Sequence, residues 1–515
     1  MLRNVGSNWA LTLVTVAVTY VLTPFVIHVL GRDGYGTWTL ITAVTGYVSL
    51  MALGVPTACV RFLAQHVAER DTRQMNATIG SCAGLYLMIG TAAALCGVLS
   101  MAVFGAAYDI PPAWRSQAQV ALGLMVLQVS AGFIGFLPEG ILFAHHDFVL
   151  RNLVRIGAVI LRLALTIGLL ALDASLVVLA LVQILCLGFD FTCSMMLIRR
   201  RYPDVRLRLA DFNWRTVRRI VSFSLYVLLL SAGARLSFET DALVIGAFLS
   251  VGAIPFYAVA NNLVVYLMDF VIAIAAVVSP MATKLKAEGR EADLEGMFLK
   301  WSKVALSISI MAGVFLMVLG PAFIGWWIDP SFAGPSGAVL QILMMSSFVF
   351  LPVRGVALPV LLGLGKPRTP TIAFIAAGLA NLALSMALAR PLGLAGVALG
   401  TAIPNVLFAV VVVLAACREL GIRVSTYLRY VVPRAALGAV PLTAWLVWCK
   451  AGLQVQSIGG LVGAGSAMLL LFGATWVVFV YRDDPFVDLR PHLGRLRAAP
   501  AAVAGAHARP ANARQ

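Results

Sequence analysis

About fourteen long runs of mainly apolar residues follow one another along this chain of 515 residues. A run of about 20 such residues is long enough to cross the hydrocarbon core of a bilayer as an α-helix. The runs lie at residues 7–30, 37–60, 77–104, 117–143, 150–171, 175–198, 217–248, 253–281, 298–320, 336–363, 370–389, 393–416, 427–449 and 457–481. Because the connections are short, no soluble domain is inserted between them. The pattern predicts an all-α polytopic membrane protein with about 14 transmembrane helices.

The composition excludes several other classes of protein. Apolar residues make up 61% of the chain and charged residues 12%, whereas soluble globular proteins average about 45–50% and about 25%. The net charge is +16, but the chain contains too little polar sequence to build a folded basic surface that could bind nucleic acid. The seven cysteines form no C-x-x-C pair, and there is no phosphate-binding loop of an ATPase. We therefore expect no enzyme activity, no metal, no cofactor and no nucleic-acid partner.

The positions of the basic residues predict the orientation in the membrane. With a cytoplasmic N-terminus, 31 of the 38 Lys and Arg residues fall on the cytoplasmic side and 4 on the opposite side. The other three lie inside apolar runs. Since basic residues accumulate in cytoplasmic loops, both termini are predicted to be cytoplasmic.

An internal repeat divides the chain. The sequence FLPEG at 136–140 in the fourth run matches FLPVRG at 350–355 in the tenth. This indicates two six-helix lobes in a parallel pseudo-twofold repeat, followed by two extra C-terminal helices. The predicted segments are an N-terminal lobe at 1–198, a basic cytoplasmic linker at 199–216, a C-terminal lobe at 217–418, the extra helices at 419–481 and a disordered cytoplasmic tail at 482–515.

Polar residues inside the apolar runs locate a candidate cavity, because a polar group in lipid is costly unless it faces protein or water. One face of the first run is a stripe of hydroxyl and amide side chains, and the seventh and eighth runs add more. The cavity-lining candidates are Asn8, Thr12, Thr15, Thr19, Thr23, Ser231, Asn262 and Tyr266. For the Thr stripe, hydrogen bonding to backbone carbonyls at helix contacts is an equal alternative.

Charged residues at membrane depth are the strongest functional signal. A cationic ladder in the fifth run enters from the cytoplasmic side, and two further cations lie in the seventh and tenth runs: Arg151, Arg155, Arg162, Arg235 and Arg354. Arginine suits a phosphate or diphosphate because its planar fork donates paired hydrogen bonds. The acids Glu239, Asp241 and Asp269 are candidates for coupling transport to H⁺ or Na⁺, although Glu239 is also placed to be the ion-pair partner of Arg235.

The stretch at 29–65 resembles the start of the Wzx-type polysaccharide flippases of the multidrug/oligosaccharidyl-lipid/polysaccharide (MOP) exporter superfamily. The residues that carry the resemblance are Leu30, Gly31, Tyr35, Gly36 and Trp38, followed by Gly54, Val55 and Arg61. The resemblance implies a bacterial inner-membrane protein that moves undecaprenyl-diphosphate-linked oligosaccharide by ion-coupled alternating access for surface polysaccharide biosynthesis. Membrane lipids, a glycan polymerase and a co-polymerase are then the expected partners.

Three alternatives stay open at this point. A MATE-like cation-coupled drug exporter should have an acidic cavity, against which the deep arginines argue. A lipid II flippase of the same superfamily also has about fourteen spans. A non-transporting subunit of a glycan synthase complex would not need a polar stripe in the first helix of a lobe.

Overall fold

The computed structural model describes residues 2–52, 54–221, 232–233, 235–236 and 240–487. These residues form helices joined by short turns and contain no strand. The predicted all-α polytopic class is confirmed. The first six helices are α1 (Leu2–Ser49), α2 (Val55–Glu69), α3 (Thr72–Ala107), α4 (Pro112–Ala144), α5 (Phe148–Leu172) and α6 (Leu176–Arg201).

After α6, an irregular segment leads to helical residues 214–221. The middle of the predicted seventh span lies outside the described residues. The later helices are α7 (Thr240–Phe248), α8 (Ile254–Ile272), α9 (Ala275–Ala287), α10 (Glu291–Trp327), α11 (Ala333–Pro352), α12 (Leu358–Gly363), α13 (Arg368–Glu419), α14 (Val424–Val431), α15 (Pro433–Ala451) and α16 (Ile458–Thr475).

Eleven helical segments of the described chain are long and apolar enough to cross a membrane. Two of them, Gly6–Ala52 and Arg368–Glu419, have 47 and 52 residues, which is about twice the length of one crossing. Each contains a break at a left-handed glycine, with φ of 68° at Gly31 and 60° at Gly393. Residues with a Cβ rarely adopt this conformation. Gly31 lies between the predicted spans 7–30 and 37–60, and Gly393 is the first residue of the predicted span 393–416.

The chain forms two compact units. The first contains Met1–Tyr266, Pro321–Ser347 and Pro367–Val411, and the second contains Leu267–Gly320, Phe348–Lys366 and Val412–Gln515. In the first unit α1 packs on α4 and α5, and α4 packs on α3 and α6. In the second, α9 packs on α12 and α15 packs on α16. The division into lobes, linker, extra helices and tail stays a prediction.

Small residues let α3 and α4 approach closely. A Cβ at Gly97 would lie 2.2 Å from Cγ1 of Val126, and one at Gly90 would lie 2.7 Å from the carbonyl oxygen of Ser130. Such contacts leave no room for a methyl group, so the helix pair depends on glycine at both positions.

Candidate functional site

A cavity of about 260 Å³ opens inside the first unit, between α1, α5, α6 and α8. Its wall alternates apolar side chains with hydroxyl, amide and guanidinium groups. The polar lining residues are Thr19, Thr23, Tyr35, Thr39, Thr42, Arg162, Thr166, Gln183 and Asn262. Three predicted lining residues, Thr19, Thr23 and Asn262, are among them. No acidic side chain of the described residues lines this cavity.

Arg162 is the cation of this cavity. Helix α5 carries it, and Thr166 lies one turn further along the same face and also lines the wall. The residue is solvent-accessible and forms part of the cavity wall. Its electrostatic interactions are with Cys186, Tyr35 and Tyr266. Among the described residues it therefore has no acidic partner, and its charge is available to an anion that enters the cavity.

A second cavity of about 310 Å³ lies beside the first, within the same unit. The two share a wall made by Thr39, Thr42, Ala258 and Asn262. Arg235 and Asp241 both line the second cavity, with Tyr257 and Asn261. The fold therefore brings one predicted head-group arginine and one predicted coupling acid to the same space, next to the space that Arg162 lines.

Asp241 is buried, with 3% of its surface exposed, and its carboxylate accepts several hydrogen bonds. The Tyr257 hydroxyl donates to Oδ2 at 2.6 Å. The Thr401 hydroxyl lies 3.0 Å from Oδ1 and 3.1 Å from Oδ2. In turn, the Asn381 amide donates to Thr401 Oγ1 at 2.8 Å. Within the described chain the buried Asn381 Oδ1 has no hydrogen-bond partner.

Sequence reasoning missed three members of this Asp241 network: Tyr257, Asn381 and Thr401. A signal was present, because an amide and a hydroxyl interrupt the apolar predicted spans 370–389 and 393–416. The role of these two polar residues becomes visible only beside Asp241, which lies 140 residues before Asn381 in the chain. No spacing within one helix connects them.

The Thr stripe of α1 satisfies its hydroxyls on the helix itself. The donors at 12, 15, 19 and 23 each bond to the carbonyl four residues earlier, at 2.8–3.1 Å. Thr19 and Thr23 also line the cavity, whereas Thr12 and Thr15 do not. At the start of the stripe, Asn8 accepts a hydrogen bond of 2.6 Å from Asn152 of α5.

The outer part of the predicted cationic ladder is ion-paired. Arg151 and Arg155 both bind the carboxylate of Glu139 on α4, and the Arg155 contact measures 2.9 Å. Asp190 of α6 interacts electrostatically with the same two arginines. The structure therefore separates these two arginines from Arg162, which has no acidic partner among the described residues.

The other predicted site residues lie elsewhere. Asp269 and Arg354 interact electrostatically with each other and belong to the second unit. Arg354 lies in a wide π-helical turn, Val353–Ala357, that follows Pro352. Ser231 and Glu239 lie outside the described residues. Tyr266 interacts electrostatically with Arg162 and with Tyr35, which both line the first cavity.

Comparison with known families decides the class of the protein. A family described as "Polysaccharide biosynthesis protein" matches residues 1–286, which is more than half of the chain. The chain belongs to this family. The resemblance to Wzx-type members of the MOP superfamily, which the sequence at 29–65 indicated, is confirmed.

Relatives and solved structures agree with that assignment. The "Uncharacterized membrane protein EpsK" of Bacillus subtilis (strain 168) is 23% identical over 483 residues, which cover 87% of this chain and 88% of EpsK. A structure of the lipid II flippase MurJ in an inward closed conformation matches with a TM-score of 0.71 and 13% identity over 94% of this chain and 99% of MurJ. An inward-facing MATE family multidrug resistance transporter of the MOP superfamily matches with a TM-score of 0.63 and 17% identity, over 80% of this chain and 98% of the transporter. The chain therefore has the fold of this superfamily.

Proposed function

We propose that this polysaccharide biosynthesis family member is a flippase that moves polyprenyl-diphosphate-linked oligosaccharide across the bacterial inner membrane. Transport proceeds by alternating access coupled to an ion gradient, and both termini face the cytoplasm. The family match and the MOP fold support a membrane flippase. The class of substrate is argued from the cavity of the first unit.

The observation that carries the proposal is Arg162. An arginine at the centre of a membrane helix costs at least about 2.5–3.5 kcal/mol, and an anion bound beside Arg162 offsets part of this cost. A diphosphate provides paired anionic oxygens that match the guanidinium fork. The Gln183 and Asn262 amides and the Thr hydroxyls on the same wall are suitable partners for phosphate and sugar oxygens.

Translocation by the purified protein tests this role. In proteoliposomes containing a fluorescent undecaprenyl-diphosphate-linked sugar, Arg162→Ala should reduce the rate of flipping at least tenfold. Arg162→Lys should retain part of the rate, because it keeps the charge and loses the bidentate fork. Arg115→Ala is the control, since Arg115 is an exposed arginine outside the cavity. An equal rate in wild type and Arg162→Ala would overturn the head-group assignment.

The alternative functions predict different results in the same assay. A cation exporter should transport lipophilic cations, but the cavity with Arg162 has no acidic lining residue among those described. A lipid II flippase should prefer lipid II, which carries a peptide, over a lipid-linked oligosaccharide that carries none. Competition between these two substrates measures the preference. A non-transporting synthase subunit should give no translocation at all.

The Asp241 network is our proposed site of ion coupling. The Asp241 carboxylate, the Thr401 hydroxyl and the Asn381 side-chain oxygen are hard oxygen donors of the type that Na⁺ and other hard cations accept. The alternative coupling ion is H⁺, bound as a single proton on the Asp241 carboxylate. Both forms neutralise the buried charge of Asp241, whose hydrogen-bond partners among the described residues, Tyr257 and Thr401, are uncharged.

Asp241→Asn is expected to abolish accumulation driven by an ion gradient while leaving binding of the lipid-linked sugar intact. Dependence of the wild-type rate on external Na⁺ at constant pH identifies Na⁺, and dependence on pH without Na⁺ identifies H⁺. Asp173→Asn is a matched control, because Asp173 is exposed at the end of α5. Full gradient-driven transport by Asp241→Asn would exclude the network as the coupling site.

A further inference from the structure

Residues 199–219 comprise the end of α6, the irregular segment after it and the start of the helix that begins at residue 214, and they hold eight arginines and two aspartates. Four large apolar side chains between the arginines are also exposed: Leu207, Leu209, Phe212 and Trp214. We propose that this segment, called here the basic linker, is a binding surface for anionic phospholipid headgroups at the membrane interface. The proposal does not depend on the substrate that the protein transports.

The backbone of the basic linker is fixed on α3. The Asn76 side chain donates to the carbonyl of Asp204 at 3.0 Å and accepts from the amide of Arg206 at 2.9 Å. Further along, the Asn213 amide donates to Ser81 Oγ at 3.0 Å. The segment is therefore an ordered surface, and its arginines are held at defined positions.

Two glycines of α3 make this contact close. A Cβ at Gly80 would lie 2.6 Å from the carbonyl oxygen of Arg208, and a Cβ at Gly84 would lie 2.6 Å from the ring of Phe212. Only residues without a side chain permit the linker to lie this near to the helix. Because backbone groups of the linker form hydrogen bonds with side chains of α3, the side chains of the linker point outward.

Part of the charge on the outward side chains is not neutralised by the described protein. All eight arginines are exposed. Arg201 has an ion pair with Asp147 at 3.1 Å. By contrast, Arg206, Arg208 and Arg215 have no side-chain ion pair with any described residue. Three neighbouring cations on an ordered backbone are complementary to a plane of phosphodiester headgroups.

The exposed apolar side chains favour a lipid surface over a soluble polyanion. Leu209 is 54% exposed and Trp214 is 63% exposed, and both lie in the stretch that follows α6, a helix that is long and apolar enough to span the membrane. Tryptophan is enriched at the interface between headgroups and acyl chains. Clusters of four to eight Lys or Arg residues beside a transmembrane helix bind anionic lipids, and each such residue strengthens binding about fivefold.

Lipid retention by the full-length protein tests the proposal. The protein is taken from nanodiscs of mixed phosphatidylglycerol and phosphatidylcholine, and the bound lipids are counted by native mass spectrometry. Wild type should retain phosphatidylglycerol in excess. The variant Arg206→Gln/Arg208→Gln/Arg215→Gln should lose most of that excess, with a fall in apparent affinity of up to about a hundredfold if the three contributions add.

Two further variants separate the causes. Arg418→Gln/Arg423→Gln/Arg429→Gln removes three exposed arginines predicted to lie on the same side of the membrane, and it should lower the retained phosphatidylglycerol clearly less than the linker variant does. Trp214→Ser should also lower the retained phosphatidylglycerol, because it removes an exposed ring suited to the interface between headgroups and acyl chains. Equal retention by wild type and the linker variant would overturn the proposal. Equal losses in the two triple variants would also overturn it, because the effect would then belong to positive charge in general.

Discussion

Replacing Asp484 with Asn is expected to destabilise the second unit strongly, because Asp484 is the partner of a buried lysine. The side chains of Lys303 and Asp484 are 2% and 1% exposed and form an ion pair. Lys303 Nζ also donates to the carbonyl of Val480 at 3.0 Å. Asp484 additionally accepts from the Tyr430 hydroxyl at 2.8 Å and from the backbone amide of Phe486 at 3.0 Å.

The magnitude follows from this burial. Removing one partner of a buried ion pair leaves an uncompensated charge and costs about 3–5 kcal/mol. In Asp484→Asn the Lys303 ammonium loses its counter-charge and has only uncharged neighbours among its described contacts, which are the new amide, the Val480 carbonyl and the Tyr430 and Tyr481 rings. The double variant Lys303→Met/Asp484→Leu removes both charges, and we expect it to recover most of the loss.

The assay is unfolding of the purified protein in detergent, followed by fluorescence-detected gel filtration after heating. Asp484→Asn should unfold at a clearly lower temperature than wild type, and the double variant should lie between them or near wild type. Exposed Lys366→Met, which removes a surface ion pair of 3.1 Å with Glu419, is the control and should change stability by less than about 1 kcal/mol. Equal losses in the single and double variants would refute the reasoning.

The same pair predicts a pH dependence. Burial alone would raise the pKa of Asp484, but the hydrogen bond from Lys303, followed by those from Phe486 and Tyr430, holds the pKa below its ordinary value. A carboxylate with a lowered pKa stabilises the fold at neutral pH and loses this effect as the pH falls through the folded-state pKa. The difference between wild type and Asp484→Asn should therefore shrink only at acid pH, below the ordinary range of a carboxyl group.

Three further predictions concern the first unit. Glu139→Gln removes the α4 carboxylate that binds two arginines of α5, and it should lower the free energy of unfolding by about 1–3 kcal/mol in a thermal unfolding assay. Gly80→Ala places a Cβ 2.6 Å from the carbonyl of Arg208, so hydrogen exchange of the linker amides should accelerate while exchange in α5 stays unchanged. Tyr202→Phe removes the hydrogen bond to Asp147 and should cost about 1.5–3 kcal/mol. Because burial, and then this hydrogen bond, raise the pKa of Tyr202 to about 12, the cost should be constant between about pH 6 and 9.

The position of Arg162 was predictable, because helical periodicity alone puts it on one face with Arg151 and Arg155 and about 16 Å further along than Arg151. The difference in ion pairing between Arg162 and the other two arginines was not predictable. Glu139 lies on another helix, and nothing in the sequence around α5 indicates that it binds the outer two and leaves Arg162 to the cavity. The role of Arg162 in binding a head group stays a prediction.

The sequence by itself determined that this chain spans a membrane with helices, because the length and apolarity of a single run decide whether that run crosses a bilayer. Only the tertiary structure decided which polar groups meet. Asp241 reaches Thr401 across 160 residues, and Lys303 reaches Asp484 across 181. The physical reason is that a span is a local property of the chain, whereas a hydrogen bond or ion pair between helices requires their packing, which no local pattern contains.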